Sequence, residues 1–459
     1  RTQWRLNDRE AENRWFYRGI GTVAEFCDNG TMVVVDTFNY WKERTLNCRT
    51  GQPIRRGDKL EFEISQFLDP SVPRGRAPYY GTTFLYIVGE GIVPWDVQPG
   101  PFSTPMFSGG TKDSVKVPER AWLGGRTTLA QMTSGEPDNH YLQMATNLNY
   151  DNGQPFVQGR RVHHTSFLSG LHDEHAENGA FTELTGRAGP RYVNERCTAC
   201  HVRNGRAAPV APGVPLDTWV VNVGDIQGNP HPAMGRVLQP KANGGAASEG
   251  TVAIAGWTEA NGLRAPSYRF SNGTPPRFSA RIAPPLVGMG LLEAVPESTV
   301  LAMEDPNDAN GDGISGRANR VPDPVTGRTR LGRFGAKAAN ISVRHQVASA
   351  LNRDMGVTTS MMPSPDCGAG QTDCGPSGVE LADVHLNHLA KYIALLGVRP
   401  QRNSEDPAVQ RGEAHFGAAG CAACHRPTMQ TSVHHPLAEL RDQTIRPYTD
   451  LLLHDMGPG

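Results

Sequence analysis

The chain has 459 residues, with 45 Lys and Arg against 46 Asp and Glu, so its formal net charge is -1 and no field of one sign marks it for nucleic acid or an anionic membrane. Glycine (51) and proline (36) are frequent, which predicts long ordered loops around short elements, while 38% hydrophobic residues suffice for a core and argue against wholesale disorder. No stretch nears the roughly 18 continuous apolar residues of a membrane-spanning helix, and the chain opens at Arg1 with no charged and then apolar leader, so a secretory signal is absent or already removed.

Residues 1–98 read as a β-rich domain. Lys59–Ser65 alternates, with Leu60, Phe62 and Ile64 on one face of a strand, and Thr82–Val88 is a second strand. Asp28-Asn29-Gly30, between Gly21–Cys27 and Thr31–Phe38, predicts a hairpin turn, because Asn-Gly suits the two positive φ values of a type I′ turn. A β-sandwich-like unit follows. Its aromatics (Trp4, Trp15, Tyr17, Trp41, Tyr79 and Tyr80) either pack core and hairpins or form a sugar-stacking face. Pro94 to Pro105 carries four prolines and Gly100, so residues 99–119 read as a linker.

Residues 120–340 form a loop-rich region with few clean helical patterns, and it contains Cys197-Thr-Ala-Cys200-His201. From 341 onward helices return. Leu381, Val384, Leu389, Ile393 and Leu396 approximate a helical stripe that stops at Gly397. Pro407 opens a further helix through Phe416 that runs into Gly420 and Cys421-Ala-Ala-Cys424-His425. The fold class is therefore multidomain α+β: the β-rich domain, then two mainly α, loop-rich domains, 120–340 and 341–459, each around one CxxCH.

CxxCH is the attachment signature of c-type haem. Two thiols three residues apart on one turn can each add to a vinyl group of the same porphyrin, and the adjacent imidazole then serves as proximal iron ligand. A redox CxxC does not need the histidine, and zinc sites rarely repeat CxxCH at this separation. Cys197, Cys200, Cys421 and Cys424 are thus predicted to hold two covalent haems, with His201 and His425 on the irons. Haem is attached to such motifs outside the cytoplasm, which predicts a periplasmic or extracellular protein. The remaining cysteines, Cys27 with Cys48 and Cys367 with Cys374, make sensible disulfides in such an oxidising space.

Around these motifs the chain resembles the bacterial di-haem oxidoreductase family of peroxidase-like c-type cytochromes, itself distantly similar to di-haem cytochrome c peroxidases and to the di-haem enzyme that matures amine dehydrogenase. The stretches that carry the resemblance are Gly159–Phe167, Arg191–Arg206, Arg281–Ala294, Gly332–Gly335, Asp354–Gly356 and Pro447–Gly457, and together they cover roughly residues 155–459. Ala336 stands where the family commonly has Trp, and the family continues past the His454-Asp-Met-Gly457 motif where this chain stops. The resemblance implies Met456 as sixth ligand of the second haem. Met429 is a poorer rival, only four residues past the proximal histidine, and His454 is easily mistaken for the ligand.

For the first haem, His163, His164, His172 and His175 are candidates for a distal ligand or acid–base group, with His164 favoured; Glu183 and Glu195 are candidate proton carriers. Asp308, Asn310 and Asp312, followed by Gly313, match the opening of a calcium loop, without the Glu at its twelfth position. The same residues also suit a solvated Asx-turn loop. Related peroxidases hold calcium between their haem domains, which implies a structural ion here.

Two functions suit these features. In the first, one haem reacts with peroxide or another oxidant while the other relays electrons from a small cytochrome or cupredoxin, or from a protein substrate. Trp219 or Trp257 could then lie between the haems, although a structural tryptophan is the commoner reading. In the second, the protein is a non-catalytic electron carrier that docks to a partner through its β domain.

Overall fold

The computed structural model describes residues 1–5, 11–18, 26–35, 39–47, 49–68, 78–103, 111–130, 141–174, 179–260 and 262–455. Cys48, His175 and Met456 lie outside them, as does the expected Cys27–Cys48 pairing.

The N-terminal part is built on a five-stranded antiparallel sheet in the order Phe26–Thr31, Ala11–Arg18, Lys59–Leu68, Pro78–Ile87, Gly91–Val93. The Asn-Gly signal is not a turn: Phe26–Thr31 runs straight through it, with Trp15 opposite Gly30 and Phe16 opposite Asn29. Extended pairing on a long neighbour outweighs the local turn preference. In the strand Lys59–Leu68 the alternation holds, with Phe62 buried and stacked on Phe84 at 5.3 Å. The opposite face is covered as well, since Glu61 is 1% exposed, ion-paired to Arg49 and hydrogen-bonded by Ser114.

Ser114 belongs to the stretch expected to be a linker. Trp95–Ser103 and Thr111–Lys116 instead pair as an antiparallel hairpin that closes over the sheet, with Trp95 buried and Asp113 holding both Arg49 (2.6 Å) and Lys59 (2.7 Å). Pro99 and Pro101 sit in the hairpin's first strand. Of the six aromatics weighed as a stacking face, Trp41 alone has a described side chain, and the Arg1 guanidinium lies 4.7 Å over its ring.

The helices are α1 (Tyr150–His164), α2 (Met289–Ala294), α3 (Glu297–Leu301), α4 (Val343–Met355), α5 (Asp383–Ala394) and α6 (Pro407–Ala418). The helical stripe placed α5 correctly: Leu389 and Ile393 are buried, as are Leu381 and Leu396 at its flanks, but Val384 is 51% exposed. α6 starts on an Asp406 cap that accepts from the Ala408 amide (2.7 Å), with Pro407 in the first turn.

α1 was not foreseen. Asn149 caps it by accepting from the Asn152 amide, but Gly153, Pro155 and Gly159 interrupt its helical signal. It packs along α5, and α5 in turn meets α4 and α2. One apolar cluster runs from Phe62 and Phe84 through Phe156, Leu351, Tyr392 and Leu440 to Leu451, so no separate core begins at residue 341.

The first haem region is also less α-rich than expected. Trp219–Gly224 pairs with Arg277–Ile282, and Val252–Ala260 pairs with Leu263–Phe270, around a second core of Leu216, Val221, Val223, Leu238, Ile254 and Phe270. Short alternating segments separated by Gly and Pro hide such hairpins from a helix search. Trp219 donates to the Ala208 carbonyl, and Trp257 is 41% exposed beneath Arg264, so both are accounted for within this β unit. Among the described residues no helix is long and apolar enough to cross a membrane.

Candidate haem sites

Each CxxCH forms one 3-10 turn. Cys197–Ala199 and Cys421–Ala423 coil in the same way, and in both the histidine amide donates to the first cysteine's carbonyl at 2.9 Å. Gly420 enters the second turn at φ +76°, a conformation that glycine adopts without strain. All four cysteines are free thiols. In each pair the two thiols sit at the ends of a single 3-10 turn.

The two histidines are anchored alike. His201 Nδ1 lies 2.8 Å from the Pro284 carbonyl and His425 Nδ1 lies 3.0 Å from the Tyr448 carbonyl. A carbonyl only accepts, so Nδ1 carries the proton and Nε2 keeps its lone pair for a metal. The fold supplies these carbonyls from a distance in sequence. Strand Arg277–Ile282 of the β unit runs directly into Pro284, and Tyr448 sits in the left-handed region (φ +50°) with its ring edge-on to Phe416 at 5.5 Å. Burial, opposed by the Pro284 carbonyl, lowers the pKa of His201 and keeps the ring neutral. Free thiols at paired spacing and imidazoles held through Nδ1 fit covalent haem at both sites.

The surroundings differ. Around the first turn, burial followed by Cys200 and Asp354 pushes the Cys197 thiol up to about 12, and burial followed by Asp354 does the same to Cys200. At the second turn Cys421 is exposed and Cys424 is half-buried. The first pocket is thus the more enclosed.

Of the four distal candidates, His163 and His164 end α1 and are buried, as is His172; His175 lies outside the described residues. Both ring nitrogens of His163 and the Nε2 of His164 are buried without a hydrogen-bond partner among the described residues. His164 Nδ1 donates to Asp173 (2.8 Å), and the other Asp173 oxygen accepts from Thr198, the residue after Cys197. Burial lowers the pKa of His163 well below the usual value, and the neighbouring His164 and His201 add to this, so α1 ends within electrostatic reach of His201.

Reading the sequence alone missed Asp173, Thr198, and the chain Asn204–Tyr392, where the Asn204 side chain donates to the buried Tyr392 hydroxyl at 2.7 Å. Glu183 and Glu195 do not join this group. Glu183 is largely exposed and pairs with His385, and Glu195 pairs with Arg196 at 2.8 Å.

Near the second turn, Gly316–Arg317 pairs with Leu453–His454, which brings the calcium-like loop beside the segment leading to Met456. His454 has both nitrogens on acceptors, Ser315 O at 2.9 Å and Asp450 Oδ2 at 2.8 Å, and Nδ1 also lies 3.9 Å from the Cys424 sulfur, so it latches these segments beside the second turn. Met429 is buried in a short strand opposite Ile445. In the loop, Asp308 accepts from the Gly313 amide (3.0 Å), Asn310 from Asp312 (2.9 Å) and Asp312 from Ile314 (2.9 Å). The Asn310 and Asp312 bonds are Asx turns, and the Asp308 bond closes the loop across five residues. Cys367 and Cys374 are joined as a disulfide, with Cα atoms 5.8 Å apart.

Residues 274–459 match the model of the family described as "Di-haem oxidoreductase, putative peroxidase". That stretch is less than half of the chain. It includes Pro284, the second CxxCH and its carbonyl anchor, and it begins after the first CxxCH. It bears out the family resemblance. No curated protein and no solved structure matches the chain.

Proposed function

We propose that the protein is an extracytoplasmic di-haem c-type oxidoreductase of peroxidase type. The observation that carries this reading is the repeated geometry at His201 and His425: a CxxCH turn whose histidine gives Nδ1–H to a backbone carbonyl and keeps Nε2 for iron. Cys197 with Cys200, and Cys421 with Cys424, would hold the two haems. When bound, haem supplies one-electron chemistry, and an open iron position also binds a small oxidant.

The chain's own contributions follow from the two surroundings. At the first, more buried site His164, its Nδ1–H fixed on Asp173, presents the buried Nε2 side as an acid–base group. The more exposed second turn suits electron entry from a small cytochrome, a cupredoxin or a protein substrate, with Met456 as sixth ligand. Two haems serve a two-electron reduction fed by a donor of single electrons.

The alternative is a carrier with both irons six-coordinate. The buried, partnerless nitrogens of His163 and His164 favour it, since either ring could close the sixth position of the first haem. Low-temperature EPR of the oxidised protein separates the two. A high-spin ferric signal that disappears with one equivalent of peroxide is expected for the enzyme. Two low-spin signals indifferent to peroxide, even after partial reduction, would make the protein a carrier.

We also propose that Asp308, Asn310 and Asp312 hold calcium, because their loop is tied through Gly316 and His454 to the second haem's segment. Asp312→Ala is expected to lower the melting temperature in calcium and to change it little in chelator. Equal losses in both would remove the ion.

A further inference from the structure

Behind the first attachment turn lies a buried polar cluster whose contacts are mostly spoken for. Arg160 covers both oxygens of Glu174 (2.7 and 2.9 Å), and the Glu174 amide donates to His172 Nδ1 (3.1 Å). The His172 ring stacks on His164, with centroids 5.3 Å apart and planes 14° apart. His164, His172 and Glu174 could offer one ligand atom each within 4.8 Å of one another; Glu174 is engaged by Arg160, and His164 keeps Nε2 without a partner among the described residues. The contact that reaches out of the cluster is made by Asp173. One of its oxygens holds His164 Nδ1 and the other holds Thr198, inside the CxxCH itself.

We propose that Asp173 is a positioning residue that places a fixed negative charge at the first haem's attachment turn and thereby lowers that haem's reduction potential. The inference rests on the first CxxCH carrying haem. A carboxylate fixed close to the iron favours the more positive, oxidised centre, and partial burial limits the screening of its charge.

Two carboxylates act on this turn, and they differ in their donors. Burial pushes Asp354 up to about 7, so it loses much of its charge near neutrality, although it too acts on both cysteines. Burial works against ionisation of Asp173 too, but the hydrogen bond and charge of His164 and the bond from Thr198 outweigh it and hold the carboxyl below its usual range. Asp173 is thus the carboxylate that stays charged. Its field reaches Cys197, whose thiol it helps to raise. The local fold serves this placement: Thr165 pairs with His172, and the Asp173 amide donates to the His164 carbonyl at 3.2 Å, so the chain turns back behind Thr198.

The test is a spectroelectrochemical titration of the full di-haem protein, with haem content counted by pyridine haemochrome. Asp173→Asn is expected to raise the midpoint potential of the first haem, and Asp173→Glu, which keeps the charge, to restore most of the original value. An unchanged potential in Asp173→Asn, or an equal rise in Asp173→Glu, overturns the proposal. Should Asp173→Asn fail to load its haem, Asp173→Ser decides: it removes the charge and keeps a short polar side chain beside His164 and Thr198, so a comparable rise is expected and no rise overturns the assignment. A wild-type protein with no haem at Cys197 would instead sink the functional reading, which the haem count shows separately.

Discussion

Replacing Cys421 with alanine is expected to leave a protein with one covalent haem in place of two, halving the pyridine-haemochrome absorbance per chain. The argument is stereochemical. The turn Cys421–Ala423 sets the two thiols for a single porphyrin, and His425 is locked through Nδ1 to Tyr448 only once the chain has closed around that site. Loss of one thiol removes one of the two bonds that hold the ring in register with the imidazole. The first haem should be untouched, because its anchor, Pro284, comes from the β unit and its turn is braced by Asp173. Turnover with a one-electron donor should fall sharply, while single-turnover reaction of the remaining haem with peroxide persists. Two covalent haems in the Cys421→Ala protein, counted by intact mass, would overturn the assignment. The reciprocal change, Cys197→Ala, should remove the peroxide-reactive centre and cost more stability, because that cysteine packs against the main core.

How much of this could be read from the amino-acid order depends on the range of the interactions. The two CxxCH turns are local, with all their information inside five residues, and both fold as the same 3-10 turn. α6 was equally legible, because Asp406 and Pro407 announce its start. The carbonyl anchors are not local. Nothing near His201 points to Pro284, 83 residues away, which a separate β unit delivers. Asp173 was passed over because a lone aspartate in a His-rich loop carries no pattern until the loop folds back on Thr198. The Asn-Gly at 29–30 shows the opposite error, a strong local signal overruled by pairing at the edge of a sheet with the longer strand Ala11–Arg18. Likewise the prolines after Pro94 read as a linker, although buried charge on Glu61 and Arg49 demanded that a hairpin cover that face.

α1 is the most instructive omission, and it yields the second large expectation. Its buried residues include Gln154, Arg160, Arg161, His163 and His164, so no apolar stripe marks it, and glycines at 153 and 159 with Pro155 argue against a helix. The reason for Gly159 is contact. A Cβ there would stand 2.0 Å from the His388 carbonyl oxygen and 2.6 Å from the Tyr392 Cβ, and the nearest of these atoms is backbone that cannot swing aside. α1 and α5 therefore cross at a distance that only glycine permits. Gly159→Val must push the helices apart, breaking the packing of Phe156 on Tyr392 (4.9 Å) and of His163 on Tyr392 (5.4 Å). We expect a loss of about 3 kcal/mol or more, the upper range for overpacking, seen as a fall of roughly 3 °C or more in melting temperature. Because α1 also carries His164 to Asp173, the first haem's optical spectrum should change while the second haem's does not. Gly412→Ala in α6 is the control: nothing lies within 4 Å of its Cβ position, so the helix should gain about 0.5–1 kcal/mol from the lost glycine flexibility. If Gly159→Val melted with the wild type, the close crossing of α1 and α5 would be wrong, and with it the route by which this helix reaches the first haem.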